Sequence, residues 1–159
     1  MGFKGNKMNK KLKQLLIALT VLSTYVYAES TVKLETKWIT PEAKVCKKNG
    51  GKSRGSFCKA DWDNAKRICS AAGGMLPSLN ELESVITSCG GKIDANDNNR
   101  NDRSYQSCYT QKGFSPRSYW SSTILENYTS DVWGVKFNFG YKDNYVKTLK
   151  LYVRCVRGR

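Results

Sequence analysis

Residues 61–82 read DWDNAKRICSAAGGMLPSLNEL, and two helix beginnings and one helix end fall within this short stretch. Asp61 is a side-chain acceptor placed to cap a helix, and Trp62, Ala65, Ile68, Cys69 and Ala72 recur on one side of the turns that follow. Gly73-Gly74 stops that helix. Pro77 stands where a missing N–H costs little, and Ser78 with Glu81 three residues on makes a capping box. Leu79, Leu82, Val85 and Ile86 supply the apolar stripe of the second helix, and Gly90-Gly91 ends it. Trp62 and Ala65 read as core packing rather than ligand contacts.

Outward from this pair of helices the periodicity changes to two. Upstream, Val32, Leu34, Thr36 and Trp38 alternate with Lys33, Glu35 and Lys37 as in a half-buried strand, which Pro41 ends. Downstream, Lys92 to Ser118 is polar, rich in Asn, Asp and Ser, and without periodicity, so it reads as a long loop. Strands are expected over Tyr119–Ile124 and Asp131–Phe139, the latter with Trp133, Val135, Phe137 and Phe139 on one face. Gly140 to Asn144 reads as a turn, and Tyr145–Leu149 and Tyr152–Val156 as two further strands. Two helices and a mostly antiparallel sheet make an α+β domain. No internal repeat is visible.

The chain has 159 residues, 27 Lys+Arg against 13 Asp+Glu, six Cys and no His. This is one domain's worth of residues. Lack of His removes imidazole bases, Ser-His and Cys-His nucleophile pairs and His-ligated zinc. Met1 to Lys13 carries five Lys and no acid, Leu15 to Tyr27 is largely apolar, and Val26-Tyr27-Ala28 suits a signal peptidase. A secretory signal over residues 1–28 is expected, because the apolar run is shorter than the ~20 residues a membrane span needs. Cleavage would leave 131 residues with 22 basic and 13 acidic side chains, a net +9. In an oxidising compartment an even count of six Cys implies three disulfides, with 15 possible pairings; no C-x-x-C pair supports a zinc site.

Several segments in order carry a resemblance. They are Trp62-Asp63-Asn64-Ala65 with Cys69, Leu76-Pro77-Ser78-Leu79-Asn80-Glu81-Leu82, Tyr119-Trp120-Ser121-Ser122-Thr123, Trp133 to Gly140, and Tyr152-Val153-Arg154-Cys155-Val156-Arg157-Gly158. With them the chain resembles the family named for the C-terminal domain of Legionella collagen-like protein, over about residues 61–159. Two features depart from that family: Gly74-Met75 replaces the usual aromatic and basic residues before Leu-Pro, and the collagen-like repeats are absent. The resemblance implies a C-type-lectin-like fold, related to that of the formylglycine-generating enzymes. It also implies pairing of Cys69 with Cys155, and then Cys46 with Cys58 and Cys89 with Cys108. The organisation expected is therefore a signal at 1–28, a strand and basic Cys-bracketed loop at 29–60, and a lectin-like region at 61–159, forming one globular unit over 29–159.

Catalysis is not expected. An oxidase related to the formylglycine-generating enzymes needs a reactive thiol pair near the C-terminus, where this chain has Cys155 alone, and no pair of carboxylates is singled out for glycosidase work. Asp94, Asn96 and Asn98 match the start of an EF-hand loop, but Asn99 and Tyr105 stand at its Gly and Glu positions, so neither metal nor cofactor is expected. Ser121, Ser122 and Thr123 read as strand hydrogen-bonding groups before site hydroxyls. Arg154 has two open readings, paired with an internal acid or pointing outward.

Charge is the remaining signal. Lys44, Lys47, Lys48, Lys52, Arg54 and Lys59 occur with no acid among them, and Lys142, Lys147, Lys150, Arg154, Arg157 and Arg159 form a second group. Either group is a solubilising face or a polyanion site, with Lys47, Lys48, Lys52, Arg54, Lys59, Lys147 and Lys150 the candidate contacts. Adhesive members of the family bind sulfated glycosaminoglycans, so the resemblance implies an exported bacterial protein, periplasmic or surface-bound, whose partner is an anionic polysaccharide or surface protein. A component of a surface appendage is the structural alternative. Tyr105, Tyr109, Tyr119 and Tyr141 could stack nucleic-acid bases, but export argues against that partner.

Overall fold

Asp61 accepts the backbone N–H of Asn64 at 3.0 Å and opens a helix over Trp62–Ala71, whose buried face is Trp62, Ala65, Ile68 and Cys69. Its carbonyls are closed off by Gly73 N–H to Ser70 (3.0 Å) and Gly74 N–H to Cys69 (2.9 Å), the two bonds of a Schellman end, with Gly73 at φ 76°. The second expected helix, Leu79–Ser88, carries the full capping box: Ser78 N–H donates to Glu81 Oε2 (2.7 Å) and Glu81 N–H to Ser78 Oγ (3.3 Å). Gly90 and Gly91 end it in the same way.

The computed structural model describes residues 37–94 and 97–157. The expected signal segment, the Val32–Thr36 part of the first strand, Asn96 and Arg159 lie outside the described residues. In chain order the strands are β1 (Lys37–Ile39), β2 (Lys52–Arg54), β3 (Phe57–Ala60), β4 (Ser118–Leu125), β5 (Tyr128–Lys136), β6 (Tyr141–Val146), β7 (Leu151–Val153) and β8 (Cys155–Arg157). The helices are α1 (Ala43–Lys48), α2 (Trp62–Ala71), α3 (Leu79–Ser88), α4 (Asp97–Asn101) and α5 (Arg103–Gln111). A six-stranded sheet runs β2-β3-β7-β4-β5-β6, antiparallel except where β4 meets β7 at Tyr119 and Tyr152; β1 and β8 form a separate ribbon. The α+β class stands.

Three local expectations change. The segment 92–118 is not a loop: it holds α4 and α5, because Asp102 caps Ser104 and Tyr105, and Tyr105, Cys108 and Tyr109 form a helical stripe against the core. The Gly-rich stretch after Cys46 is the end of α1 followed by the β2–β3 hairpin, and Gly50 and Gly51 close α1 through Lys47 and Cys46 carbonyls. The hairpin turn expected at Gly140 to Asn144 lies instead at residues 137–140, between the paired Lys136 and Tyr141. Asn99, 4% exposed, fixes that turn by donating to the carbonyl of Phe139 (2.9 Å) while it accepts from Lys92 N–H (2.9 Å). A Cβ on Gly140 would collide with the Asn99 amide, so the turn needs glycine for space as well as for its φ of 68°.

Adjacent residues of the central strands feed opposite faces of the sheet. Trp120, Val132, Val153, Cys58 and Ala60 pack with the α2 face; Tyr119, Val135 and Phe137 pack with Leu82, Val85 and Ile86 of α3 and Tyr105 and Tyr109 of α5. Of the four residues expected on one face of the Asp131–Phe139 strand, Val135 and Phe137 reach this second cluster while Trp133 is only half-buried. All six cysteines pair as the resemblance implies: Cys46–Cys58, Cys69–Cys155 and Cys89–Cys108, with Cα separations of 5.9, 5.3 and 5.5 Å. Among the described residues no helix is long and apolar enough to cross a membrane.

Two measurements test this account of the core. The Cys69–Cys155 link closes a separation of 86 residues, against 12 and 19 for the others. Chain entropy then ranks its removal highest, at about 4.5 kcal/mol against about 3 for either of the others. Urea unfolding of the three double Cys→Ala variants should return that order. Burial pushes the Tyr109 phenol up to about 12, with Tyr119 adding to it, and also raises Tyr105. The unfolded chain releases these protons from about pH 10. The stabilisation is therefore complete below pH 10 and is lost as pH climbs toward 12. Tyr109→Phe should make that fall shallower by about 1.4 kcal/mol per pH unit, read from urea midpoints between pH 10 and 12.

Candidate functional site

The β2–β3 hairpin alternates. Cys58 turns inward to its disulfide, Ser53 and Phe57 are half-buried, and Lys52, Arg54 and Lys59 project outward. Register sets Lys52 opposite Lys59, Lys59 opposite Tyr152 and Tyr152 opposite Tyr119. Directly opposed residues share a face, so one row leads from two exposed cations to a half-buried tyrosine and then to a buried one. Lys59 Nζ lies 5.3 Å from the Tyr152 ring centre, and the Phe57 ring meets the same tyrosine edge-to-face at 5.6 Å.

Beside this row the chain entering β4 brings Arg117. Its turn is rigid: Ser115 N–H donates to the Tyr119 hydroxyl (2.8 Å), Ser115 Oγ lies 2.9 Å from that hydroxyl, and Phe137 N–H donates to the Arg117 carbonyl (3.1 Å). Burial raises the Tyr119 phenol, and the two Ser115 contacts pull it back down. Opposite Ser118, at the end of β5, stands Lys136, with Nζ 4.7 Å from the Phe139 ring centre. Lys150 precedes β7.

These groups line two adjoining clefts. One, of about 320 Å³, is bounded by Lys59, Arg117, Lys136 and Lys150 with Ser118, Asn138 and Tyr152. The other, of about 550 Å³, is bounded by Arg54, Ser56, Phe57 and Ser115, and shares Pro116, Arg117 and Tyr152 with the first. Among the described residues neither lining contains an acid. The ion pairs among the described residues, Lys66–Asp63 and Lys142–Glu83, involve none of these cations. Asn138 Oδ1 is buried beside the first cleft without a hydrogen-bond partner. The Ser118 hydroxyl lies 3.0 Å from that of Tyr145, whose phenol burial raises. Such a groove can attract and hold anions, donate hydrogen bonds and offer ring edges.

Among the candidate contacts read from sequence, Arg54, Lys59 and Lys150 line the groove, and Lys52 flanks Lys59. Lys47 and Lys48 are exposed in the last turn of α1, where they complement the helix carbonyls. Lys147 is half-buried on the α2 side, 4.9 Å from the Trp62 ring centre, and donates to the Thr129 carbonyl. The second basic group does not assemble: Lys142 pairs with Glu83 at 3.5 Å, Arg157 donates to the Gly73 carbonyl (2.9 Å), and Arg154 is inside. Arg154 takes neither of its two expected states. It is 7% exposed with no carboxylate partner among the described residues, donates to Thr40 Oγ1 and the Lys112 carbonyl, and lies 5.0 Å from the Phe114 ring centre.

Arg117, Lys136, Phe57 and Tyr152 were not legible as site residues. Arg117 falls in the segment read as loop, and Lys136 reads as the outward residue of an alternating strand. The tyrosines considered for base stacking are largely unavailable, since Tyr105, Tyr109 and Tyr119 are buried. Ser121 Oγ donates to the Trp133 carbonyl (2.6 Å), and Thr123 Oγ1 accepts from Leu79 N–H (2.9 Å), so both hydroxyls tie strands and helix together. Asp94 sits in a turn at φ 58°, and among the described residues no cluster of acids or cysteines forms a metal site.

Searches of curated proteins and of solved structures each found no match. One family model, described as the Lcl C-terminal domain, matches residues 33–157 and so spans both core clusters and every residue of the groove; the chain belongs to that family.

Proposed function

We propose that this domain is a non-catalytic binder of anionic glycans on bacterial or host surfaces, and that the groove along β3, β7 and the start of β4 is its binding site. One observation carries the reading: five cations, Arg54, Lys59, Arg117, Lys136 and Lys150, line connected clefts whose walls, among the described residues, hold no acid. Uncompensated like charges in a cleft raise the local concentration of polyanions and speed their arrival. Lys52 and Lys59 add a second sign of selection for a ligand, because like charges directly opposite on paired strands destabilise the hairpin they sit in. A bound polyanion relieves that repulsion. Family membership and three disulfides are compatible with an exported, surface-associated protein, where such glycans are met.

Retention on immobilised heparin should fall steeply with salt. Lys59→Glu with Lys150→Glu should lower the elution salt and reduce the slope of log affinity against log salt by about 1.4, at about 0.7 per lost contact as for flexible single-stranded polyanions. Lys47→Glu with Lys48→Glu makes the same change of net charge and should leave that slope nearly intact. Equal effects of the two pairs would assign retention to overall charge and remove the groove as the site. A separate outcome concerns Lys52→Glu: urea unfolding should show a gain of about 0.2–1 kcal/mol while heparin retention weakens.

A further inference from the structure

The two clefts share a wall but differ in character. Around the first, Lys59, Arg117, Lys136 and Lys150 supply four cations with the polar side chains of Ser118 and Asn138. Around the second, Arg54 is the only cation among the described residues besides the shared Arg117, and the lining turns to Phe57, Ser56 and Ser115. Phe57 is half-buried on a hairpin of cations, and its ring partner is Tyr152, which faces both clefts. The part of that ring left open to water at the second cleft is apolar surface, and covering it with another apolar face is favourable. A sugar ring has such a face, made of C–H bonds, with hydroxyls at its rim for groups such as Ser56. A bare phosphate chain has none. Both clefts fall in the size range of small-ligand sites, about 300–1,000 Å³.

Building on the glycan reading above, we infer that the groove is two unlike subsites joined at Arg117 and Tyr152. It takes a linear acidic glycan of at least two successive units, the densest charge lying between Lys59, Lys136 and Lys150 and a less charged ring lying against Phe57. The ligand has a direction along the groove, and chain length matters because a single unit fills one subsite only. Phe57 is a specificity residue: it separates acidic sugars from other polyanions of the same charge.

Calorimetric titration of the full chain with heparin-derived di-, tetra- and hexasaccharides and with inorganic polyphosphate of matched charge tests this, using wild type, Phe57→Leu and Phe57→Ser. Leu keeps apolar bulk in the hairpin and removes the flat ring, so a urea midpoint equal to wild type certifies its fold. The tetrasaccharide should bind at least about tenfold more tightly than the disaccharide. Phe57→Leu should weaken the tetrasaccharide about tenfold and leave polyphosphate within about twofold. Equal affinity for di- and tetrasaccharide, or an unchanged tetrasaccharide affinity in both Phe57 variants, overturns the two-subsite inference while the groove remains a polyanion site. Failure of wild type to bind any of these probes removes the groove reading and this inference together.

Discussion

The cross-link from Cys69 in α2 to Cys155 in β8 is the constraint on which the remaining architecture depends. It joins the first long helix to the last strand across most of the described chain, and both its cysteines are fully buried. Around it the ends of the fold are drawn together. β8 pairs with β1, Met75 bridges to Val156 from the turn after α2, and Gly74 lies so near the Val156 carbonyl that a side chain there would collide. A sheet buried on both faces needs its helices held against it. A domain of this size has few apolar contacts to spare for that task, and covalent links act on the unfolded chain where contacts cannot.

Much of this was legible because helix ends follow local chemistry. Asp61, Ser78 and the pairs Gly73-Gly74 and Gly90-Gly91 act through bonds to residues three to five positions away, so the string alone shows them. The same device closes α1 at Gly50-Gly51 and α5 at Gly113, yet those helices were missed. α1 is one and a half turns long and lies amid charges, and α5 carries a stripe of tyrosines in a polar segment that propensity assigns to loop. The misplaced hairpin turn has a non-local cause: Asn99, some forty residues away, selects residues 137–140. The disulfide pairing came from the family resemblance, since spacing alone left every pairing open.

The candidate site was legible as charge and not as geometry. Counting basic residues finds Arg54, Lys59 and Lys150, but it cannot tell them from Lys147, which is held against Trp62, or Lys142, which has an acid partner. It misses Arg117 and Lys136, which strand register and a turn bring to the groove from distant parts of the chain. Arg154 shows the limit from the other side. A basic residue beside a cysteine had two plausible states, and the chain uses it inside the core, where carbonyl and hydroxyl acceptors and an aromatic face replace the carboxylate. Burial lowers its proton affinity, yet a guanidinium stays charged at any physiological pH.

Tyr152 has a consequence beyond its part in the groove. Its ring touches Phe57 on one side and Tyr119 on the other, Tyr119 touches Phe137, and Phe137 stacks on Phe114. The floor of the groove is thus the outermost member of an unbroken file of aromatic rings that runs into the core cluster beneath α3 and α5. A floor of this kind does not yield to what lands on it. Under the function proposed, recognition becomes a comparison of candidate chains with a fixed template, in which a stiff chain already holding the right spacing loses little freedom and a floppy one of equal charge loses much.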